Sequence, residues 1–241
     1  MTVSVDAVWE AIDGVIDPEL DRSVVELDFV RSVQVDEGDV HVALRLPTYW
    51  CSPNFAYLMV GDAQEAVSQV PGAERVRIDL VDHYAGDRIS EAIQAGLSFQ
   101  EAFPDQAEGE LDELRRKFRL KAFVVRQEPV LRAVRQAIGD AGAVVLLLGD
   151  AAPPEGVDAD EWSEYLRRRR DLGMADGPAE LVFTDAQGAP LAGDGLNDYL
   201  RLARSVRISL QSNTEFCTGL LAARYDGEAG VDSWQQREVV A

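Results

Sequence analysis

Leu46-Pro47-Thr48-Tyr49-Trp50-Cys51-Ser52-Pro53 is the stretch on which the fold of this chain turns. Ahead of it, residues 40–46 alternate between apolar and polar, the two-residue period of a half-buried strand. Behind it, Phe55, Leu58, Met59, Ala63, Ala66, Val67 and Val70 recur at spacings of three and four, which is helical. The octet is therefore a strand-to-helix junction, with Pro53 in the first helical turn, where a missing amide hydrogen costs least.

Working outward, residues 29–35 also alternate and are joined to 40–46 by Asp36-Glu37-Gly38-Asp39, the turn of a hairpin. Residues 5–16 place Val5, Val8, Trp9, Ile12, Val15 and Ile16 on one helical face, and Asp17-Pro18-Glu19 stops that helix. Pro71-Gly72 ends the second helix, and residues 76–81 return to alternation. The reading is an αββαβ domain with a three-stranded sheet over residues 1–84. A helical connector over 85–109 follows, with a helix at 87–95 and a capping box of Ser98 and Glu101.

Residues 110–241 read as a mixed α/β domain, so the fold class is α/β in its α+β form. Helices are expected at 110–125, at 128–138 with Pro129 in the first turn, at 160–172 and at 197–206. Strands are expected at 143–148, 181–184 and 206–210, with a loop at 153–156 and a turn at 185–188. Residues 215–223 suit either helix or strand.

The 241 residues are 46% hydrophobic, enough for one or two domains with real cores. Basic residues number 23 against 43 acidic ones, a net charge of -20 that repels a polyphosphate, so no nucleic-acid partner is expected. The basic runs at 115–121 and 167–170 sit beside Glu113 and Glu164 at helical spacing and read as solvated faces. No apolar run approaches the ~18 residues that span a bilayer, and the first six residues lack the makings of a signal. A cytoplasmic protein without a membrane partner is expected.

Two cysteines, Cys51 and Cys217, and two histidines, His41 and His83, exclude a disulfide scaffold or a zinc ribbon. Cys51 opens a helix, where unpaired amides and the dipole favour a thiolate, so it is a candidate nucleophile or soft-metal ligand, the alternative being a buried cysteine that serves as a small hydrophobe. Asp17 and Glu19 offer two carboxylates on a fixed turn, able to ligate a metal, cap a helix or orient a thiol. His83 lies just past the last strand of the domain and is expected to face solvent, the alternative being a metal ligand oriented by a carboxylate, and His41 reads as a surface residue. Cys217 reads by default as a buried core cysteine; should the C-terminal domain fold back on the first, Cys217 with Glu215 would join Cys51 and His83 in one thiolate, imidazole and carboxylate set suited to iron or zinc.

An Asp-Pro-Glu turn after the first helix, the Val-Val-Glu-Leu-Asp-Phe-Val run from Val24 to Val30, a hairpin, and a cysteine opening the second helix follow one another in order. Over residues 5–82 this resembles the iron-sulfur cluster assembly family that includes the SufT and PaaD proteins. Two positions depart from the family: Ser52 stands between Cys51 and the proline, and Leu-Pro-Thr replaces the usual Thr-x-Thr. The resemblance implies a maturation factor rather than a catalyst, with iron or a transient iron-sulfur cluster handled at Cys51 and the Asp17-Pro18-Glu19 turn beside it. It also implies a client metalloprotein. The PaaD branch points to a multicomponent monooxygenase with a binuclear iron centre, and the long C-terminal extension to a dedicated client. Two other readings stand beside it: a thiol enzyme with Cys51 as nucleophile and His83 as base, and an interaction module with an inert thiol. A three-stranded sheet leaves one face open, which either homo-oligomerisation or docking of the second domain would cover.

Overall fold

Ser4 starts the first helix: its hydroxyl accepts the amide hydrogen of Ala7 at 3.4 Å, and α1 (Val5–Asp13) buries Val8 and Ile12. The structure is a computed structural model describing residues 2–105, 111–150, 153–154, 156–191 and 195–225. Its chain forms two units, Met1–Leu111 with Ser212–Ala241, and Asp112–Gln211.

In the first unit, β1 (Ile16–Asp17) and β2 (Arg22–Ser23) pair antiparallel around the Asp17-Pro18-Glu19 turn, a short pairing that the sequence reading did not anticipate. The hairpin follows as β3 (Val30–Asp36) and β4 (Asp39–Arg45), with Glu37 at a φ of 53° in its turn. Then α2 (Pro53–Ser68) crosses over to β5 (Arg75–Val81), which runs parallel to β4 and gives the order β3-β4-β5. The expected αββαβ arrangement and three-stranded mixed sheet are present.

Alternation decides what each sheet face does. Val40, Val42 and Leu44 of β4 and Val76, Ile78 and Leu80 of β5 are buried in the core shared with α1 and α2. The intervening positions carry His41, Arg77 and Asp79, and His41 Nε2 meets Asp79 Oδ2 at 2.7 Å. His41 is half-exposed on that polar face, as expected.

Residues 85–109 were expected to be a connector, yet their described part completes the first core. In α3 (Gly86–Gln94) Ile89 and Ala92 are buried, and Phe99, Ala102 and Phe103 of the turn around α4 (Phe99–Ala102) join them. Ser98 and Glu101 form the expected capping box.

The second unit is helical where strands were expected. α5 (Leu111–Ala143) continues through Pro129 and breaks only at Gly139, whose φ of 74° suits glycine. The two helices expected there are one up to that break. Burial of Phe123, Val130, Leu131 and Val134 on both sides of the proline offsets its cost of about 3 kcal/mol. The strands expected at 143–148 and 181–184 meet in a single antiparallel bridge, Leu147↔Leu181. Pairing goes no further because residues 148–150 turn into a 3-10 helix, with Gly149 pressed against the Pro178 carbonyl.

The helix α6 (Ala159–Asp171) is capped by Asp158 and carries Arg168, Arg169 and Arg170 in its last turn, in keeping with its dipole. The helix α7 (Leu196–Tyr225) absorbs both the strand expected at 206–210 and the undecided segment at 215–223. No proline and only Gly219 lies within it, so nothing in the chain stops the helix once begun. Of the expected 153–156 loop, residue 155 lies outside the described residues. Among the described residues no helix is long and apolar enough to cross a membrane.

Candidate functional site

The junction between β4 and α2 is a loop tied down at both ends. Thr48 Oγ1 accepts the Trp50 amide hydrogen at 3.2 Å and shares a hydrogen bond with Cys51 Sγ at 3.3 Å. Threonine thus folds the loop back on itself and leaves the thiol half-buried just before the helix, whose N-cap is Ser52. Across from it, the segment after β5 is held by Asp82 at a φ of 54°, and the Tyr84 amide donates to the Tyr49 carbonyl at 3.1 Å.

His83 links the two segments. Its Nδ1 accepts the Ala85 amide hydrogen at 3.2 Å, which leaves the ring proton on Nε2 to be donated to the Cys51 carbonyl at 2.8 Å. Rather than facing solvent as expected, the residue is 7% exposed because both ring nitrogens are tied to backbone, and burial together with the Arg224 charge holds its pKa below the ordinary histidine value. A neutral ring with both nitrogens engaged orients the thiol-bearing backbone. Its one lone pair, on Nδ1, is already engaged by the Ala85 amide hydrogen rather than turned to the thiol, so the geometry does not favour a Cys51–His83 nucleophile and base pair.

Asp17 is buried as well. Its Oδ1 accepts the amide hydrogens of Glu19 and Leu20, each at 2.8 Å, which makes the Asp17-Pro18-Glu19 turn rigid. Burial pushes its carboxyl up to about 6 in spite of those two hydrogen bonds.

The last turns of α7 return Cys217 to this place. Cys51 and Cys217 both pack against the core of the first unit. Burial raises the Cys217 thiol to about 11, and the charges of Asp17, Cys51 and Glu19 add to the rise. Two thiols and two carboxylates therefore share one electrostatic neighbourhood, a potential that any cation entering it would relieve. Glu215 is exposed, and two residues along a helix from Cys217 it lies on a different face. Among the described residues, no group of three or more histidine, cysteine, aspartate or glutamate side chains is arranged to hold a metal ion.

Three features went unread in the sequence. Arg224 donates from Nη1 to the Leu46 carbonyl at 3.1 Å and from Nη2 to the Asp82 carbonyl at 2.6 Å, joining the loops that carry Cys51 and His83. Tyr225 donates to Asp82 Oδ2 at 3.2 Å and lies under the Arg45 guanidinium, 4.6 Å from the ring centre. Beside the thiol, Tyr49, Trp50 and Tyr84 form an exposed aromatic rim with ring centres 4.9 to 6.2 Å apart, Trp50 being 74% exposed. The signal for the rim was available: three large aromatics in turns, two of them directly before Cys51 and one directly after His83.

With this geometry in place, comparison with known proteins adds the following. A model of the family described as iron-sulfur cluster assembly protein matches residues 5–80. The chain is 37% identical over 78 residues to an iron-sulfur cluster carrier protein of Synechocystis sp., a match that covers 32% of this chain and only 22% of that protein. It is 30% identical over 93 residues to an uncharacterized protein of Methanocaldococcus jannaschii, covering 38% of this chain and 96% of that protein. No solved structure matches the chain.

Proposed function

Through its N-terminal domain this chain belongs to the iron-sulfur cluster assembly protein family, and from that premise we propose that it carries iron or an iron-sulfur cluster to a client metalloprotein in the cytoplasm, acting through Cys51. The observation that carries the reading is the return of Cys217 to the neighbourhood of Cys51, Asp17 and Glu19. Thiols are the ligands that iron and its clusters prefer, and the half-buried setting of both leaves them open to an incoming cargo. The similarity to a carrier protein over the same domain supports it.

Two thiols cannot complete a four-cysteine coordination, so the cargo is shared with a second copy of the chain or handed over with ligands of the client. His83 acts as a positioning residue that fixes the backbone beneath Cys51. The aromatic rim is where the client docks, since exposed tyrosine and tryptophan form the anchors of many interfaces. By resemblance to the PaaD branch, the client is a multicomponent monooxygenase with a binuclear iron centre.

Anaerobic reconstitution with ferrous iron and sulfide tests the reading, with iron per chain and visible absorption measured for the parent, Cys51→Ser and Cys217→Ser. Loss of binding in Cys51→Ser with weakened binding in Cys217→Ser is the expected outcome. Equal iron uptake by all three would remove the carrier reading and leave a client-binding module.

A further inference from the structure

The second unit contains a cleft of about 340 Å³, within the range that holds a small molecule, lined in part by Arg116, Arg169, Met174, Glu180, Thr184 and Gln187. Two of its polar side chains are almost wholly buried, Arg169 at 3% exposure and Thr184 at 5%. Arg169 donates from Nη1 to the Val182 carbonyl at 2.8 Å and the Tyr165 hydroxyl at 3.2 Å, and from Nη2 to the Ala175 carbonyl at 3.0 Å. Among the described residues its Nε–H has no hydrogen-bond partner, and neither has the Thr184 hydroxyl.

Charge makes the same point independently. The adjacent Arg168, equally buried, is paired with Asp171 at 3.0 Å and Glu164 at 3.9 Å. Among the described residues no carboxylate is paired with Arg169, whose partners are carbonyls and a phenol. A buried guanidinium without a counter-charge is costly, and buried polar groups left without partners are rare in native proteins. An anion in the cleft supplies the missing counter-charge, and a small shift of the two side chains toward it satisfies both donors.

We propose that this cleft binds a small oxyanion, a carboxylate or a phosphate, drawn by the charges of Arg169 and Arg116, and that a small shift of the buried Arg169 and Thr184 side chains lets its oxygens accept from Arg169 Nε–H and from the Thr184 hydroxyl. Arg116, exposed on α5, supplies a second positive charge. Glu180 is the one acidic side chain of the lining, so the site is positive locally within a chain of net charge -20. Guanidinium N–H and hydroxyl donors suit the oxygens of both ligand classes. The site lies in the second unit and is independent of the cluster-carrying role of the first.

Isothermal titration calorimetry of the full chain with inorganic phosphate, and separately with malonate, tests the proposal, repeated on Thr184→Val and Arg116→Gln with circular dichroism as a check on folding. Valine keeps the shape of threonine, and Arg116 is exposed, so both variants retain the parent fold. The expected result is saturable binding of at least one probe with a Kd of about 1 mM or tighter. Each substitution weakens it about fivefold or more, the loss of roughly one hydrogen bond or charge contact. Binding of phosphate alone, or of malonate alone, assigns the ligand class. Saturable binding of neither probe, or an affinity unchanged by either substitution, would overturn the proposal and leave Arg169 as a tie between loops.

Discussion

Asp17 holds its proton more tightly in the folded chain than in the unfolded one, because burial outweighs the two amide hydrogen bonds to its Oδ1. A carboxyl raised in this way stabilises the metal-free fold fully below its unfolded value of 3.8, and that contribution is lost as pH rises through about 6. The loss by pH 7 is on the order of 3 kcal/mol. Asp17→Asn keeps the Oδ1 acceptor and removes the charge, so at pH 7 it is expected to be more stable than the parent by about 1–3 kcal/mol, with the gap closing toward pH 4. Urea unfolding of chelator-treated protein across that range measures it, and a variant less stable at pH 7 would mean that the turn needs the carboxylate itself. His83 works in the opposite direction. Its lowered pKa costs stability once pH falls below the ordinary histidine value of 6.5, so the parent curve is the sum of two opposed slopes. Cys51 and the Asp17-Pro18-Glu19 turn were legible in the sequence because each is marked by local chemistry, a proline and a change of period. Arg224 was not, since its partners are backbone carbonyls far away in sequence and carbonyls leave no residue-type signature.

Among the elements, the junction from β5 to α3 is the least tolerant. A Cβ on Gly86 would stand 2.2 Å from the Leu80 carbonyl oxygen, with the His83 Cβ also close at 3.7 Å. Gly86→Ala must therefore push the helix from the strand and displace the segment that holds His83 against Cys51. The expected cost is at least about 2 kcal/mol in chemical denaturation. If the variant folds with unaltered stability, the close approach of strand and helix is wrong. The elements of the first unit could be read because strand and helix periods alternate there and proline or glycine punctuates each change. In the second unit that punctuation misleads. Pro129 lies inside a helix that packing holds on both sides, and six apolar residues at 143–148 resemble a strand while making only one bridge. Val206, Ile208 and Leu210 alternate as a strand would, but they sit in an uninterrupted α7.

At the scale of the molecule there are two separate apolar cores, one around Ile12, Phe29, Leu44 and Ile78 and one around Phe123, Leu131, Tyr165 and Phe183. Each should melt as its own cooperative unit. Leu221 of α7 is 3% exposed within the first core, and Phe123 of α5 is fully buried in the second. Leu221→Ala is expected to lower one calorimetric transition and Phe123→Ala the other, each by about 2–5 kcal/mol. A single transition shifted by both substitutions would show that the cores are coupled. The return of α7 to the first unit also sets an order in time. Cys51 and residues 2–105 leave the ribosome well before Cys217 and Arg224 are made, so a nascent chain displays one thiol on a loop that Thr48, His83 and Tyr84 hold but that Arg224 does not yet tie. Both thiols stand against the first core only once residues 212–225 have been made and packed, so under the proposed carrier role a chain cut short of them would lack half of its sulfur ligands.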